Sequence, residues 1–179
     1  MTYYGGKEIA AAFRTVRANT LAIAKDIPED KYNFQAAPDT RTIGKLLVHI
    51  AIGPTFQLHV HGGKTTDMST VNFPELFQKL GAEEAKPRNK AETIAFLESE
   101  GVKFTSFVEG LSDAFLAEVV RFPAGADPAA KTRFEMLLSP KEHEMHHRGQ
   151  LMLLERLIGI VPHLTRAMQA RMAQQAAKA

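Results

Sequence analysis

Residues 131–158 have the sequence KTRFEMLLSPKEHEMHHRGQLMLLERLI, and this stretch decides the fold class of the chain. Leu151, Leu154 and Ile158 recur at steps of three and four residues, which is the spacing of one face of an α-helix. Gly159 follows at once and favours a helix end at that point. The stretch therefore predicts one long amphipathic helix over residues 131–158.

A proline inside this stretch conflicts with an unbroken helix. Ser139 and Pro140, with Glu142 three residues after Ser139, have the form of a helix start. The apolar residues just before them, within 134–137, also fit a helix. We therefore favour a helix that begins near residue 131 and is kinked at Pro140, which cannot donate to the carbonyl of Met136. A helix that begins at Ser139 is the alternative.

Three more long amphipathic helices are predicted upstream, because apolar residues recur there at helical steps. The first covers residues 7–26, and the second begins at Thr42 and ends near Gly62 and Gly63. The third begins at the capping box NKAE, residues 89–92, and ends at Gly110. The segment NFPELFQKLG predicts a short surface helix that Gly81 stops, and a further helix is expected in the tail after Pro162.

No stretch of the chain alternates between apolar and polar residues over a useful length, so the sequence predicts an all-α protein. Four long amphipathic helices favour a four-helix bundle with short extra helices in its connectors. The connectors after the second and third helices, including 111–130, are long, so a simple up-down-up-down order is not required. We expect one domain over residues 1–162 and a C-terminal helical tail over 163–179.

Composition excludes several functional classes. A net charge of +2 is too small to indicate a nucleic-acid partner. The start MTYYGGKEIA lacks an apolar signal core and no run has membrane-spanning length, so we expect a cytoplasmic protein with no membrane partner. The absence of cysteine excludes disulfides, thiolate metal ligands and a sulfur nucleophile from the chain itself.

Histidines supply the candidate site. His143 and His147 lie about 40° apart on a helix, on the face that continues through Gln150 and Leu154, and such a pair can chelate one divalent ion. Two packed core histidines are the alternative. With no cysteine available, a third ligand must be His, Asp or Glu, and His49 in the second helix is the best candidate, although a lone histidine among apolar residues is more often packed in the core.

The other histidines are not predicted as ligands. His146 lies towards the edge of the helix face that carries His143 and His147. We expect it to be exposed, or to contact one of the metal-binding residues without binding the metal itself. His59 and His61 are expected at a solvated helix end, and His163 in the tail is expected to be exposed.

His143, Glu144 and His147 also form H-E-x-x-H, the signature of zinc peptidases. There Glu144 would act as a general base, but we expect it to pair with Arg148 one turn later and to point away from the histidines. The usual continuation H-x-x-G-x-x-H is missing, and no strand is predicted to border a substrate cleft. We therefore do not predict a zinc peptidase.

Three motifs resemble the DinB-type family of metalloenzymes: LLVHIA around His49, HEMHHRGQL from His143, and the helix ending GIVP. DIPEDKYNFQAAPDTRTIGKLL also resembles the family's first loop and the start of its second helix. The resemblance runs from about Ile9 to about Pro162. Ser139-Pro140 and the Ala-rich tail depart from the family's pattern.

The resemblance implies an up-down-down-up four-helix bundle and a divalent metal, commonly zinc or nickel, held by His49, His143 and His147. It also implies a homodimer. Characterised relatives include S-transferases that use a low-molecular-weight thiol. Our leading hypothesis is a metal-dependent S-transferase in which such a thiol attacks a small-molecule electrophile and Gln150 orients water or substrate. A helix-to-helix hydrogen bond is the alternative role of Gln150. A non-enzymatic bundle with a structural ion or a stress-related binding role, and a metal-dependent hydrolase, are the rival functions.

Overall fold

The computed structural model describes residues 4–178, most of which are helical. The helices are α1 (Gly6–Asp26), α2 (Ile43–Ile52), α3 (Thr55–Gly62), α4 (Phe73–Ala85), α5 (Lys90–Glu109), α6 (Asp113–Ala117), α7 (Arg133–Leu157) and α8 (His163–Ala176), and the strands are β1 (Val119–Arg121) and β2 (Ala130–Thr132). Two 3-10 turns, Glu29–Lys31 and Met68–Thr70, lie in the connectors. None of the helices within residues 4–178 has both the length and the apolar composition of a membrane span.

Helices α1, α2 with α3, α5 and α7 form a four-helix bundle, as predicted. Contacts between side chains fix the relative directions of these helices. Arg14 pairs with Glu109 and the later Lys25 pairs with the earlier Glu98, so α1 and α5 are antiparallel. The rings of Tyr4 and Phe134 meet near the starts of α1 and α7, so these two helices are parallel.

The second helix runs against α7, because His49 in its first half contacts His143 and Gln57 in α3 contacts the earlier residue Ser139. With α1 taken as up, α2 and α5 are therefore down and α7 is up. The up-down-down-up order is confirmed.

The second helix is broken, whereas the sequence predicted a continuous one. α2 ends at Ile52 and α3 begins at Thr55, because Pro54 has no N–H to donate to the carbonyl of Ile50. The Nη2 atom of Arg17 donates to that carbonyl at 3.3 Å. A buried side chain from α1 thus compensates the break.

Helix α4 continues past Gly81 to Ala85, so the predicted stop at Gly81 is wrong. A glycine within a helix costs only about 1 kcal/mol, and the backbone at Gly81 does not adopt the left-handed conformation of a helix terminator. The extra turn carries Glu84, which contacts His49.

The connector 111–130, which the sequence left without regular structure, contains α6 and most of a two-stranded antiparallel ribbon. Val119 pairs with Thr132 and Arg121 with Ala130. Three residues per strand are too few to show a period of two in the sequence. Val120 lies in one buried apolar cluster with Met68 and Met136, and this cluster holds the ribbon against the bundle.

Helix α7 is one helix with Pro140 inside it, so the predicted start before Ser139 is confirmed and a start at Ser139 is wrong. Thr132 and Glu135 form the capping box at its N-terminus. The Ser139 hydroxyl does not cap a helix but accepts a long hydrogen bond from Gln57 at 3.4 Å.

A buried ion pair crosses the middle of the bundle. The guanidinium of Arg17 donates to both carboxylate oxygens of Glu144 at 2.9–3.1 Å, and its Nη1 donates to the carbonyl of Leu97 at 2.5 Å. Together with its bond to the Ile50 carbonyl, Arg17 joins α1, α2, α5 and α7. The predicted pairing of Glu144 with Arg148 is therefore wrong, because a buried partner on another helix replaces the local one.

Helix α8 has no buried side chain. Arg166 pairs with Asp26 at 2.6 Å and His163 contacts Asn19 at 3.1 Å, and these contacts hold the start of α8 against α1. His163 is therefore half-buried, where the sequence predicted exposure.

Candidate metal centre

Three imidazoles meet where α2 packs against α7. The Nε2 atom of His143 lies 3.1 Å from Nε2 of His49 and 3.1 Å from Nε2 of His147. One ligand atom from each of the three histidines lies within 4.8 Å of the others, and all three side chains are half-buried. The structure thus brings together the three residues that the sequence singled out.

The helices explain this convergence. His143 and His147 are one turn apart on α7, so their side chains project from one face. Because α2 runs antiparallel to α7, His49 approaches that face from the opposite helix.

Two hydrogen bonds orient the rings. Nδ1 of His49 donates to Oε2 of Glu84 at 3.1 Å, and Nδ1 of His147 donates to Oε1 of Gln150 at 2.7 Å. A histidine whose Nδ1 carries the proton presents a bare lone pair at Nε2. Carboxylate and amide partners therefore leave the Nε2 atoms of His49 and His147 as acceptors that point at His143.

Three neutral imidazoles cannot satisfy one another in this arrangement. His143 has at most one proton at Nε2, so it can fully satisfy only one of the two lone pairs that face it. A cation between the three Nε2 atoms satisfies all of them. Two nitrogens about 2.1 Å from one zinc ion lie roughly 3.4 Å apart at a tetrahedral angle, close to the observed 3.1 Å contacts. The donor set therefore fits a divalent metal ion.

The electrostatics of the site favour the neutral forms of His143 and His147 and an ionised Glu84. Burial, aided by the neighbouring histidines, lowers the pKa of His143 to about 4, and burial lowers the pKa of His147 as well. Burial alone would raise the pKa of Glu84, but its hydrogen bonds with Arg41 and His49 outweigh that and lower it. Neutral imidazoles are the form that binds metal ions.

Gly53 makes room for His143. A Cβ atom at position 53 would lie 2.9 Å from Nδ1 and 3.2 Å from Cε1 of the His143 ring, closer than such atoms normally approach. The backbone of Gly53 is helical, with φ −48° and ψ −44°, so it does not itself require glycine. The close contacts of a Cβ atom here are with the ring of His143, since the next atom, the carbonyl oxygen of Ile50, would lie at an ordinary 3.4 Å.

We expect Gly53→Ala to weaken metal binding about tenfold, because the new methyl group displaces a ligand ring that its neighbours hold in place. Titration of the metal-free protein with Zn²⁺ against a competing chelator measures this. Gly149→Ala on α7 is the matched control, since a Cβ there meets no atom within 4 Å. Equal affinities of the two variants would refute the role of Gly53.

The remaining histidines take different positions. His146 and His59 are exposed, as predicted, and Nε2 of His146 lies 3.3 Å from the amide nitrogen of Gln150. The prediction of a solvated His61 is wrong. Its ring is buried between Gln57 at 2.9 Å and Arg133 at 3.1 Å, and burial lowers its pKa to about 4.

Sequence reasoning missed two residues at the site. Glu84 lies on the helical turn beyond Gly81, and Arg41 lies in the loop before α2, where its Nε donates to Oε1 of Glu84 at 2.6 Å. A helical continuation beyond Gly81 would have placed Glu84 on α4, but nothing local indicated that α4 packs against His49. Arg41 carried no signal of its own.

A cavity of about 330 Å³ lies beside the three histidines. His147 and Gln150 line one part of it, and Leu153, Leu154 and Leu157 line another part further along α7. Small-molecule sites combine an apolar wall with a few polar groups in this way. Of the three histidines, His147 lines this cavity and so connects the cluster with a pocket of ligand size.

Comparison with solved structures supports the fold. The DinB-like protein YjoA from Bacillus subtilis has 20% sequence identity and a TM-score of 0.63, over 85% of this chain and 92% of its own. YfiT from Bacillus subtilis, described as a probable metal-dependent hydrolase with an unusual four-helix bundle topology, has 13% identity and a TM-score of 0.65, over 89% of this chain and 91% of its own. At these identities the likeness concerns the fold. A comparison with curated proteins finds no match.

The sequence profile of the DinB superfamily matches residues 12–151, a range that includes all three converging histidines and most of the four long helices. The match covers well over half of the chain. This protein belongs to the DinB superfamily.

Proposed function

We propose that His49, His143 and His147 bind one divalent metal ion and that the protein is a metal-dependent enzyme acting on a small molecule. The convergence of three Nε2 atoms on one point carries the proposal. Three protein ligands leave a coordination position open for water or substrate, which is the arrangement of catalytic rather than structural zinc sites. When bound, such an ion polarises its ligands and lowers the pKa of a coordinated water or thiol.

The residues around the histidines have distinct tasks in this proposal. Glu84 and Gln150 hold the rings of His49 and His147, so the metal-binding geometry exists before the ion arrives. Gln150 also lines the cavity, where it can contact a bound substrate. Glu144 is fully engaged by Arg17 and buried, so it is not available as a base beside the histidines.

A thiol S-transferase is our finer proposal, with zinc or nickel as the ion. The chain has no cysteine, so any thiolate in the reaction comes from a low-molecular-weight cosubstrate. The electrophilic partner would lie in the cavity beside His147, with its apolar part against the leucines of α7.

A metal-dependent hydrolase is the second candidate, and one observation favours it. YfiT, which shares the fold, is described as a probable metal-dependent hydrolase. Hydrolysis needs water in the open coordination position and no thiol, so the two candidates differ in their second reactant.

The test uses protein purified without a histidine tag and loaded with one equivalent of Zn²⁺ or Ni²⁺. Turnover is measured on panels of electrophiles and of esters and amides, each with and without low-molecular-weight thiols. Thiol-dependent, metal-dependent turnover supports the S-transferase, and thiol-independent turnover of esters or amides supports the hydrolase. Metal removal that unfolds the chain, with no turnover in any panel, would instead indicate a structural ion and refute the enzyme.

A further inference from the structure

The cavity beside the histidines has two chemically different ends. On α7 it extends from His147 to Leu157, a distance of about 15 Å at the rise of a helix. His147 and Gln150 lie at one end, and Leu153 and Leu157 at the other are more than half exposed. A ligand that fills the cavity therefore needs a polar head and an apolar body.

Arg41 provides free hydrogen-bond donors at the polar end. The Nε atom of Arg41 donates to Glu84. Because Glu84 also contacts His49, this hydrogen bond holds Arg41 near the histidines. The four N–H bonds of its two Nη atoms have no partner among residues 4–178, and Arg41 is one of the residues that line the cavity. A planar guanidinium with both Nη groups free is the side chain best suited to bind a carboxylate or phosphate.

The charges at this end favour an anion once a metal ion is bound. Histidine binds a metal ion as the uncharged imidazole, so three histidine ligands would leave a divalent ion with its full charge of +2. Arg41 adds one positive charge, while Glu84 and Asp39 each contribute a negative one, so the polar end carries a net +1. An anionic head group would neutralise it.

We propose that this cavity binds a small amphiphilic anion, with its anionic group on the Nη atoms of Arg41 and its aliphatic part along Leu153 and Leu157. This inference deepens the proposed function, because it gives the chemical class of the substrate. Arg41 is then a specificity-determining residue as well as a support for Glu84.

The test measures binding directly, with hexanoate as the probe. Protein with 13C-labelled leucine methyl groups is titrated with hexanoate, hexan-1-ol and hexylamine, in the zinc-loaded and in the metal-free form. We expect hexanoate to shift the methyl signals of Leu153 and Leu157 and to bind zinc-loaded protein at least tenfold more tightly than hexan-1-ol. Lengthening the chain from butanoate to hexanoate should tighten binding roughly threefold per methylene.

Two variants and one control separate the role of Arg41 from that of the metal ion. Arg41→Gln should weaken hexanoate binding about tenfold or more in both forms and leave hexan-1-ol unaffected, while Asp39→Asn should tighten hexanoate binding. Lys45→Gln is the matched control, since Lys45 is exposed and is not among the residues that line this cavity.

The metal-free form makes failure of this inference distinguishable from failure of the proposed function. Hexanoate binding that depends on Arg41 without metal supports the anion site even if the protein proves inactive. Binding that is equal in wild type and Arg41→Gln, or that requires zinc and ignores Arg41, would overturn it. Leucine methyl signals that do not respond to hexanoate would overturn it as well.

Discussion

His143→Ala is expected to abolish stoichiometric metal binding. His143 is the central member of the proposed ligand set, with its Nε2 3.1 Å from those of both other histidines. Structural zinc sites bind with about 10–16 kcal/mol from four ligands, so loss of one ligand costs roughly 3–4 kcal/mol and lowers affinity roughly 10²- to 10³-fold. Elemental analysis after extensive dialysis should find about one ion per chain in wild type and almost none in the variant.

His146→Ala is the control for this prediction. His146 is also a histidine of α7, but it is exposed and lies outside the converging group. Its replacement should leave metal content and affinity within about twofold of wild type, because no ligand ring is lost. A His143→Ala protein that retains one tightly bound ion would show that the metal lies elsewhere.

Glu144→Ala is expected to lower the free energy of unfolding by about 3–5 kcal/mol. The substitution leaves the guanidinium of Arg17 buried without its counter-charge, and both side chains of the pair are at most 5% exposed. Removal of one partner of a buried ion pair costs more than the pair itself contributes, because the remaining charge is not solvated. Urea denaturation followed by circular dichroism measures the change.

The surface pair Arg14–Glu109 joins the same bundle and supplies the control. Glu109→Ala should cost less than about 1 kcal/mol, since both side chains are nearly half exposed. The double variant Arg17→Met/Glu144→Leu should regain most of the stability that Glu144→Ala loses, because no uncompensated charge remains. Equal destabilisation by Glu144→Ala and Glu109→Ala would contradict the assigned role of the buried pair.

The histidine cluster was predictable because two of its three members lie one helical turn apart in the sequence. The spacing of His143 and His147 fixes their common face, and the lack of cysteine narrows the third ligand to few residue types. His49 was then the best candidate because it sits among apolar residues of a helix that must pack inward. The resemblance to DinB-type proteins selected the same three residues.

The buried pair was not predictable by the same reasoning. Helical spacing favours a bond between Glu144 and Arg148, and that rule sees only the same helix. The actual partner, Arg17, is 127 residues away, so the bond depends on how α1 packs on α7. The same limit applies to His61, whose partner Arg133 lies 72 residues further along the chain.

The predicted helix boundaries were wrong where two local sequence signals indicated different structures. Gly81 resembles a helix stop, but tertiary contacts carry α4 on to Glu84. Gly53 and Pro54 end α2 within an apolar run whose periodicity suggested continuity, and Arg17 satisfies the carbonyl that Pro54 frees. Both errors lie next to the candidate metal centre, where Glu84 contacts His49 and Gly53 leaves room for the ring of His143.

The central claim is that His49, His143 and His147 together hold one divalent ion. A crystal structure of protein loaded with one equivalent of Zn²⁺, with anomalous data collected at the zinc absorption edge, tests it most directly. We expect a single strong anomalous peak about 2.0–2.1 Å from the Nε2 atoms of all three histidines, with a fourth position open towards the cavity. A peak elsewhere, or none at these histidines, would contradict the claim.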